Sequence, residues 1–283
     1  MDNIRQALER ARALEGAGAE QKVPLRQPSQ AEPPVGIGHP APASIAETVL
    51  DIGLLESNRI IAHDETDPRT RAFDMLRTQV LQAMDQRNRK FLGITSPTPG
   101  CGKTVTAINL AMSIARQPER SVLLVDLDLQ KPRHIATSLG IECASGVFSV
   151  LEGHTNLAST VIAARAGHSH IAVLPTEKST TASSAWMVSR EMSTMLQEIR
   201  RDYRSHIVIV DLPPVLSSDD VIALLPQLDC ALLVASVGRT TVAEIEECNR
   251  HLQSADVLRL VLNKVTETNS QYYPNYSAPP RQG

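Results

Sequence analysis

Aromatic residues are scarce in this chain of 283 residues, where Phe, Trp and Tyr together make up 3% of the sequence. A core must therefore be built from aliphatic side chains, and an apolar fraction of 42% is sufficient for one. The length suits one full-sized domain with appendages, or at most two small domains. A basic excess is also missing, since the formal net charge is −3. This balance argues against bulk nucleic-acid binding.

Cysteines are few, and long apolar runs are absent. Cys101, Cys143, Cys230 and Cys248 form no C-x-x-C pair and have no regular spacing with histidine. Neither a metal centre nor a disulfide framework is expected from them, and free thiols in a reducing cytosol are the simplest interpretation. No stretch approaches the roughly 18 apolar residues that span a bilayer. The charged start MDNIRQALERARALEG is unlike a signal peptide. We expect a cytoplasmic protein that reaches a membrane only through a partner.

The composition along the chain predicts four regions. Residues 1–16 read as a short amphipathic helix, which either docks on a partner or frays. Residues 17–45 are rich in Pro and Gly and predict a disordered linker. A folded domain is expected over 46–266. The polar, Pro-containing segment 267–283 predicts a mobile tail.

Within the folded domain, apolar strand-like segments alternate with helix-like segments. A helix is expected to begin at Asp67-Pro68, where Asp is the N-cap and Pro the first helical residue, and to bury the stripe Phe73, Leu76, Val80 and Ala83. The predicted strands are 91–95, 121–126, 170–175, 206–211, 229–236 and 258–264. The further predicted helices are 103–117, 145–152, 188–203, 219–226 and 241–254. This order predicts an α/β fold, a doubly wound and mostly parallel sheet with helices on both faces.

The segment TSPTPGCGKT, residues 95–104, follows a predicted strand and opens a predicted helix, as a phosphate-binding loop does. Backbone amides and the helix N-terminus can hold phosphates, Lys103 can reach them, and the Thr104 hydroxyl can ligate Mg²⁺. The strict pattern has Gly where this chain has Pro97. Cys101 could serve a redox role, but a small bystander is the simpler interpretation. The predicted nucleotide-binding residues are Gly100, Cys101, Gly102, Lys103, Thr104 and Val105.

Carboxylates end two of the apolar strands. Asp126 and Asp128 follow one, and Asp211 follows another. The carboxyl ends of such strands face the ligand crevice of a doubly wound fold. There they can hold Mg²⁺ or accept a hydroxyl proton, although a solvated turn would also explain a lone D-x-D. Asp219 and Asp220 are expected to cap the next helix.

Three of the four tyrosines, Tyr272, Tyr273 and Tyr276, lie within the predicted tail. Clustering beside a nucleotide site suggests phosphate acceptors. A tail that packs on the domain through these rings is the alternative.

In this order the motifs SPTPGCGKT, VLLVDLDLQKPR, IVIVDLPP and YYPNY resemble those of the bacterial tyrosine autokinases, a P-loop NTPase family related to the MinD and ParA proteins. The resemblance extends from about residue 56 to 276. It implies an enzyme that uses ATP and Mg²⁺ to phosphorylate its own tyrosines and so regulates the polymerisation and export of capsule or exopolysaccharide.

The resemblance also implies roles for individual residues. Lys103, Asp126 and Asp128 would be catalytic, with Asp126 activating the acceptor hydroxyl or binding Mg²⁺ through water. Asn263 would contact the adenine. The metal would be held by Thr104, Asp128 and Asp211. The phosphoacceptors Tyr272, Tyr273 and Tyr276 would be modified by a neighbouring subunit.

The partners that the resemblance implies are a membrane polysaccharide co-polymerase, or chain-length determinant, as activator, a protein-tyrosine phosphatase, and other copies of the chain in a homo-oligomer. The co-polymerase would recruit the protein to the inner face of the cell membrane. No nucleic-acid partner is expected.

Three departures from the family pattern leave alternatives open. Gln130 stands where the family motif D-x-D-x-R has Arg, although Lys131 and Arg133 could substitute for it. Only Arg77 of the helix segment 71–77 fits the family's oligomerisation pattern E-x-x-R-x-x-R. The tyrosine cluster is also short. A nucleotide-binding adaptor that is catalytically weak is one alternative. A positioning ATPase of the ParA/MinD type is another, although Thr98 replaces the signature lysine of that group.

Overall fold

The computed structural model describes residues 47–131, 134–253 and 256–265. The predicted N-terminal helix, the predicted linker and the whole predicted tail with its three tyrosines lie outside these ranges. Within them, no helix combines the length and the apolar character needed to cross a membrane.

The described part of the chain forms an eight-stranded sheet flanked by helices. The strands are β1 (Thr48–Val49), β2 (Phe91–Thr95), β3 (Ser121–Asp126), β4 (Ile162–Ala166), β5 (Ser169–Leu174), β6 (His206–Asp211), β7 (Cys230–Ser236) and β8 (Val257–Asn263). Their order is β1-β4-β5-β3-β6-β2-β7-β8. All neighbouring pairs are parallel except β4–β5, which is antiparallel. The predicted mostly parallel, doubly wound sheet is confirmed.

The described helices mostly connect successive strands. They are α1 (Ile52–Ser57), α2 (Arg71–Asp85), α3 (Lys103–Ala115), α4 (His134–Leu139), α5 (Val147–Leu151), α6 (Leu157–Thr160), α7 (Ser183–Met187), α8 (Arg190–Asp202), α9 (Asp220–Leu224) and α10 (Val242–His251). Short 3-10 turns at Pro68–Thr70 and Leu225–Gln227 precede α2 and follow α9.

Two apolar layers, one on each face of the sheet, form the core. Helices α1 to α4 cover one face, and α5 to α10 cover the other. Central strands such as β2 and β7 are buried along their whole length, as expected for strands covered on both sides. The stripe predicted on α2 packs into the first layer, with Val80 fully buried and Phe73, Leu76 and Ala83 partly buried.

Asp67 caps the turn before α2 as predicted, because its Oδ1 accepts a hydrogen bond from the Arg69 amide over 2.8 Å. The prediction that Asp219 and Asp220 cap the next helix was wrong. Asp219 makes no side-chain cap bond at α9, and Asp220 is buried and accepts hydrogen bonds from Ser183 and Gln130 instead. Tertiary partners therefore determine the role of Asp220.

A polar cluster between α2 and α3 was not predicted. The Asp74 carboxylate accepts hydrogen bonds from Arg77 over 3.0 Å, from Ser113 over 2.6 Å and from Arg116 over 2.7 Å. Arg77 also donates to the Ser113 carbonyl over 3.0 Å. The one arginine that fits the family's oligomerisation pattern is thus bonded within its own domain.

Candidate active site

Strand pairing brings the predicted carboxylates together. β3 and β6 are parallel neighbours, and Asp126 pairs directly with Asp211 at their carboxyl ends. β2 lies beside β6 and ends at Thr95, whose hydroxyl donates to the Pro213 carbonyl over 2.6 Å. The loop that follows β2 therefore begins at the edge of the sheet where both aspartates lie.

The phosphate-loop segment turns sharply at two glycines. Gly100 and Gly102 have φ angles of 80° and 94°, in the left-handed region that favours glycine. A Cβ on Gly102 would lie 2.2 Å from Asn263 Nδ2, and one on Gly100 would lie 2.6 Å from the Arg239 guanidinium. Helix α3 begins directly after this turn. The loop conformation thus depends on glycine for both its backbone angles and its close contacts.

Lys103 lies among the carboxylates. Its Nζ donates to Asp128 Oδ2 over 2.9 Å and lies 3.5 Å from Asp211 Oδ1. The Thr104 hydroxyl donates to Asp211 Oδ2 over 2.6 Å. The two residues at the start of α3 are therefore connected to the carboxyl ends of β3 and β6.

Charge and burial shift the pKa values of this cluster. Burial, together with the charge of Asp211, raises the pKa of Asp126 well above its usual range. Burial also raises the pKa of Asp211, although Lys103 and Thr104 oppose this shift. Burial disfavours the charged form of Lys103, but the negative charges of Asp211 and Asp128 favour it more strongly. The pKa of Lys103 is therefore raised.

Two buried carboxylate oxygens, Asp126 Oδ2 and Asp211 Oδ1, have no hydrogen-bond partner in the described structure. Such oxygens are hard ligands that suit a divalent cation. Yet the described residues contain no group of three or more His, Cys, Asp or Glu side chains arranged as a complete metal centre. This donor set fits Mg²⁺, which usually keeps waters and takes only one or two carboxylates together with substrate phosphates.

A cavity of about 170 Å³ lies beside the loop. Five of the predicted nucleotide-binding residues line it: Gly100, Gly102, Lys103, Thr104 and Val105. Cys101 does not line the cavity, because its side chain is fully buried with Sγ near the hydroxyls of Thr98 and Thr240. This packing fits the interpretation of Cys101 as a small bystander.

The predicted Asp128 also lines the cavity, as does Lys131, which the sequence offered as a substitute for the family's arginine. Three further lining residues, Pro99, His134 and Pro214, were not predicted as site residues. Asp128, Lys131 and His134 thus contribute to one wall. In the sequence, His134 ends the run QKPRH, which begins two residues after Asp128, and this run is the signal that could have indicated it.

The end of β8 supports the loop from outside. Asn263 Nδ2 donates to the Cys101 carbonyl over 3.0 Å, and Lys264 Nζ donates to the Gly100 carbonyl over 2.7 Å. The structure therefore places Asn263 against the phosphate loop. Its predicted contact with adenine stays a prediction, as do the roles of the three tyrosines outside the described residues.

The sequence model of the AAA domain family matches residues 90–247, more than half of the chain. The putative tyrosine-protein kinase EpsB of Ralstonia solanacearum is 28% identical over 262 residues, which cover 88% of this chain and 33% of that protein. The chain thus spans about a third of the length of this relative. Tyrosine-protein kinase YwqD of Bacillus subtilis (strain 168) is 29% identical over 224 residues, 77% of this chain and 91% of that one.

Among solved structures, the kinase domain of Escherichia coli tyrosine kinase ETK superposes with a TM-score of 0.63 at 27% identity. The superposition covers 74% of this chain and 80% of that one. These matches confirm the resemblance to bacterial tyrosine kinases that the motifs indicated.

Proposed function

Since this chain belongs to the AAA domain family, we propose that it is a Mg·ATP-dependent protein-tyrosine autokinase. The observation that carries the proposal is the convergence of Lys103, Thr104, Asp126, Asp128 and Asp211 on one edge of the sheet. Glycine-rich loops alone are common, but this loop is bonded to the ends of two neighbouring strands. Relatives named as tyrosine kinases support the choice of reaction.

In the proposed mechanism the nucleotide phosphates bind along the loop and the start of α3. A phosphate group there competes with Asp128 for the Lys103 ammonium, which shifts toward the transferring phosphate. Thr104, Asp128 and Asp211 would hold the metal, which neutralises charge on the phosphates when bound. Catalysis then consists mainly of positioning and charge stabilisation within a water-poor site.

Asp126 is the proposed acceptor of the tyrosine proton. It is fully buried, and its pKa is raised by burial and by Asp211. A carboxylate with a raised pKa is a stronger base, so its proton affinity is closer to the one needed to accept the proton of a tyrosine hydroxyl. Asp126 Oδ1 accepts the Asp128 amide over 3.2 Å, which fixes the orientation of the carboxylate and leaves Oδ2 available.

The proposed acceptors are Tyr272, Tyr273 and Tyr276. Their phosphorylation would regulate the polymerisation and export of exopolysaccharide or capsule. A membrane co-polymerase would activate the kinase and bring it to the inner face of the cell membrane, and a protein-tyrosine phosphatase would reverse the reaction. Asn263 would contact the adenine from the end of β8.

Intact-mass spectrometry after incubation with Mg·ATP tests the proposal. We expect mass increments of one phosphate in the wild type and none in Lys103→Met, Asp126→Asn or the triple variant with Phe at positions 272, 273 and 276. The triple variant retains the whole site, so it serves as the control for acceptor identity. Phosphate on that variant would refute the assignment of the acceptors.

One observation favours the alternative of a nucleotide-binding adaptor. Arg77 is bonded to Asp74 and Ser113 within its own domain, so assembly through this residue would require those bonds to break. An adaptor would bind ATP and acquire no phosphate even with its membrane partner present. Dimers that form only with ATP, without labelling of tyrosine, would instead indicate a positioning ATPase.

A further inference from the structure

A second cleft has a volume of about 610 Å³. Its lining residues are Gln130, Ser179, Thr180 and Thr181. Gln130 is adjacent in the chain to Lys131, which lines the phosphate-loop cavity together with Asp128. The Thr180 amide donates to the Leu129 carbonyl over 3.0 Å, which attaches the far wall of the cleft to the same turn. The mechanism proposed above gives this cleft no role.

Gln130 is anchored through its donor group. Its Nε2 donates to Ser183 Oγ over 3.0 Å and to Asp220 Oδ2 over 3.3 Å, and Ser183 Oγ donates to Asp220 Oδ1 over 3.0 Å. Ser183 and Asp220 are buried, whereas Gln130 is exposed. No described residue donates a hydrogen bond to Gln130 Oε1. The side chain is thus held in place with its acceptor oxygen available to a ligand.

The described residues that line the cleft include no charged side chain. One amide and three hydroxyls line it, and these groups can both donate and accept hydrogen bonds. A charged ligand group would lose hydration there without gaining a counter-charge from these four residues. An acidic group would also approach Asp220, the carboxylate to which Gln130 is bonded. The cleft therefore suits an uncharged polar ligand and disfavours an acidic one.

Residues 268–280 of this chain have matching chemistry. The segment TNSQYYPNYSAPP contains the three clustered tyrosines and no charged residue. Its start is close in the chain to Lys264, which is bonded to the rim of the phosphate loop. The seven peptide units from Val265 to Tyr272 can span up to about 25 Å when extended. This length allows the tyrosines to reach the neighbourhood of the phosphate-loop cavity.

We propose that the cleft of Gln130, Ser179, Thr180 and Thr181 is the acceptor-peptide subsite, and that it selects an uncharged segment such as residues 268–280. The inference rests on the proposed autokinase function and adds a specificity determinant to it. Gln130 is the central residue, because an arginine at this position would make the same subsite cationic and favour acidic flanks.

A charge-swap experiment on the full chain tests this subsite. The acidic tail carries Asn269→Asp, Asn275→Asp and Ser277→Glu and keeps all three tyrosines. The acidic tail is tested with the wild-type Gln130, with Gln130→Arg and with Thr181→Arg. Thr181→Arg adds a cation to the cleft without disturbing the Ser183–Asp220 pair. Gln79→Arg on α2, an exposed glutamine outside the cleft, is the matched control. Initial rates of phosphate incorporation are measured by intact mass.

With Gln130 present, we expect the acidic tail to be phosphorylated about tenfold more slowly than the native tail, in line with an unpaired charge at a polar contact. Gln130→Arg and Thr181→Arg should each bring the rates for the two tails closer together, or make the acidic tail the faster substrate. Gln79→Arg should leave the ratio of the two rates unchanged. An equal ratio in all four backgrounds would overturn the subsite while leaving the kinase intact. Nucleotide binding without phosphate on any variant, even with the membrane activator present, would instead reject the kinase function, and the subsite with it.

Discussion

The Lys103 ammonium lies 2.9 Å from Oδ2 of Asp128, and both side chains are almost fully buried. The lysine expected to contact phosphate is therefore also the counter-charge of the D-x-D turn. This relationship connects the phosphate loop to β3, so a ligand that binds Lys103 also changes the electrostatics of Asp128. We therefore expect nucleotide affinity and the position of the D-x-D turn to be coupled through this pair.

The first prediction concerns this ion pair. Lys103→Met leaves Asp128 and Asp211 without their shared cation and should lower the free energy of unfolding by about 3 kcal/mol. The double variant Lys103→Met/Asp128→Asn should be more stable than Lys103→Met alone, because it removes one of the two uncompensated charges. Urea denaturation of the full set measures both effects. A double variant no more stable than Lys103→Met would contradict the pairing.

The second prediction concerns Asp220. Burial raises the pKa of this carboxyl, and hydrogen bonds from Ser183 and Gln130 only partly offset the shift. The native state therefore holds a proton that the unfolded chain has already released above pH about 4. Stability falls as the pH rises from that value through the raised pKa. Asp220→Asn removes this contribution, so its unfolding free energy should decline less over that window than that of the wild type.

The third prediction concerns Gly102. Gly102→Ala puts a Cβ 2.2 Å from Asn263 Nδ2 on a backbone with φ of 94° and should weaken ATP binding at least about tenfold. Gly153→Ala is the matched control, because Gly153 has φ of 72° and nothing within 4 Å of an added Cβ. The control should lose about 1–2 kcal/mol of stability from its backbone conformation alone and retain nucleotide affinity. Calorimetric titration with ATP distinguishes the two.

The fourth prediction concerns Asn109, a buried residue of the phosphate-loop helix α3. Its Oδ1 accepts the amides of Ile61 and Ala62 over 2.8 and 2.9 Å, and its Nδ2 donates to the Arg59 carbonyl over 2.9 Å. Asn109→Ala leaves these buried groups unpaired and should destabilise the protein by about 2–4 kcal/mol.

Thermal or urea denaturation measures the cost of Asn109→Ala. Gln79→Ala, at an exposed position on α2, provides the comparison and should change stability by less than about 0.5 kcal/mol. Similar losses in the two variants would show that Asn109 does not hold the 59–62 segment on α3.

The parts of the fold that could be predicted are those in which one local signal dominates. Strands such as β2 and β7 are continuously apolar and were predicted to within a residue. β4 was missed because its sequence, IAARA, is short and only partly buried, so no clear period marks it. α4 and α1 were missed as well, since each is six residues long and gains its stability from packing on the first core layer.

The candidate site likewise contains residues that a local pattern predicts and residues that no local pattern predicts. Lys103, Asp126, Asp128 and Asp211 could be placed together from the sequence because parallel strands align their carboxyl ends. The bonds of Asn263 and Lys264 to the loop join positions more than 160 residues apart, and no local pattern encodes them. The role of Asp220 was mistaken for a helix cap because its partners come from two other segments.

The outer wall of the phosphate loop is formed by residues that the ribosome adds long after the loop itself. Gly100 and Cys101 are translated more than 160 residues before Lys264 and Asn263 bond to them. At about 5–20 residues per second, synthesis takes roughly ten to thirty seconds to cover that interval. A nascent chain therefore carries the complete loop sequence for that time without its support from β8. The nucleotide site matures only after the last strand of the sheet has been made.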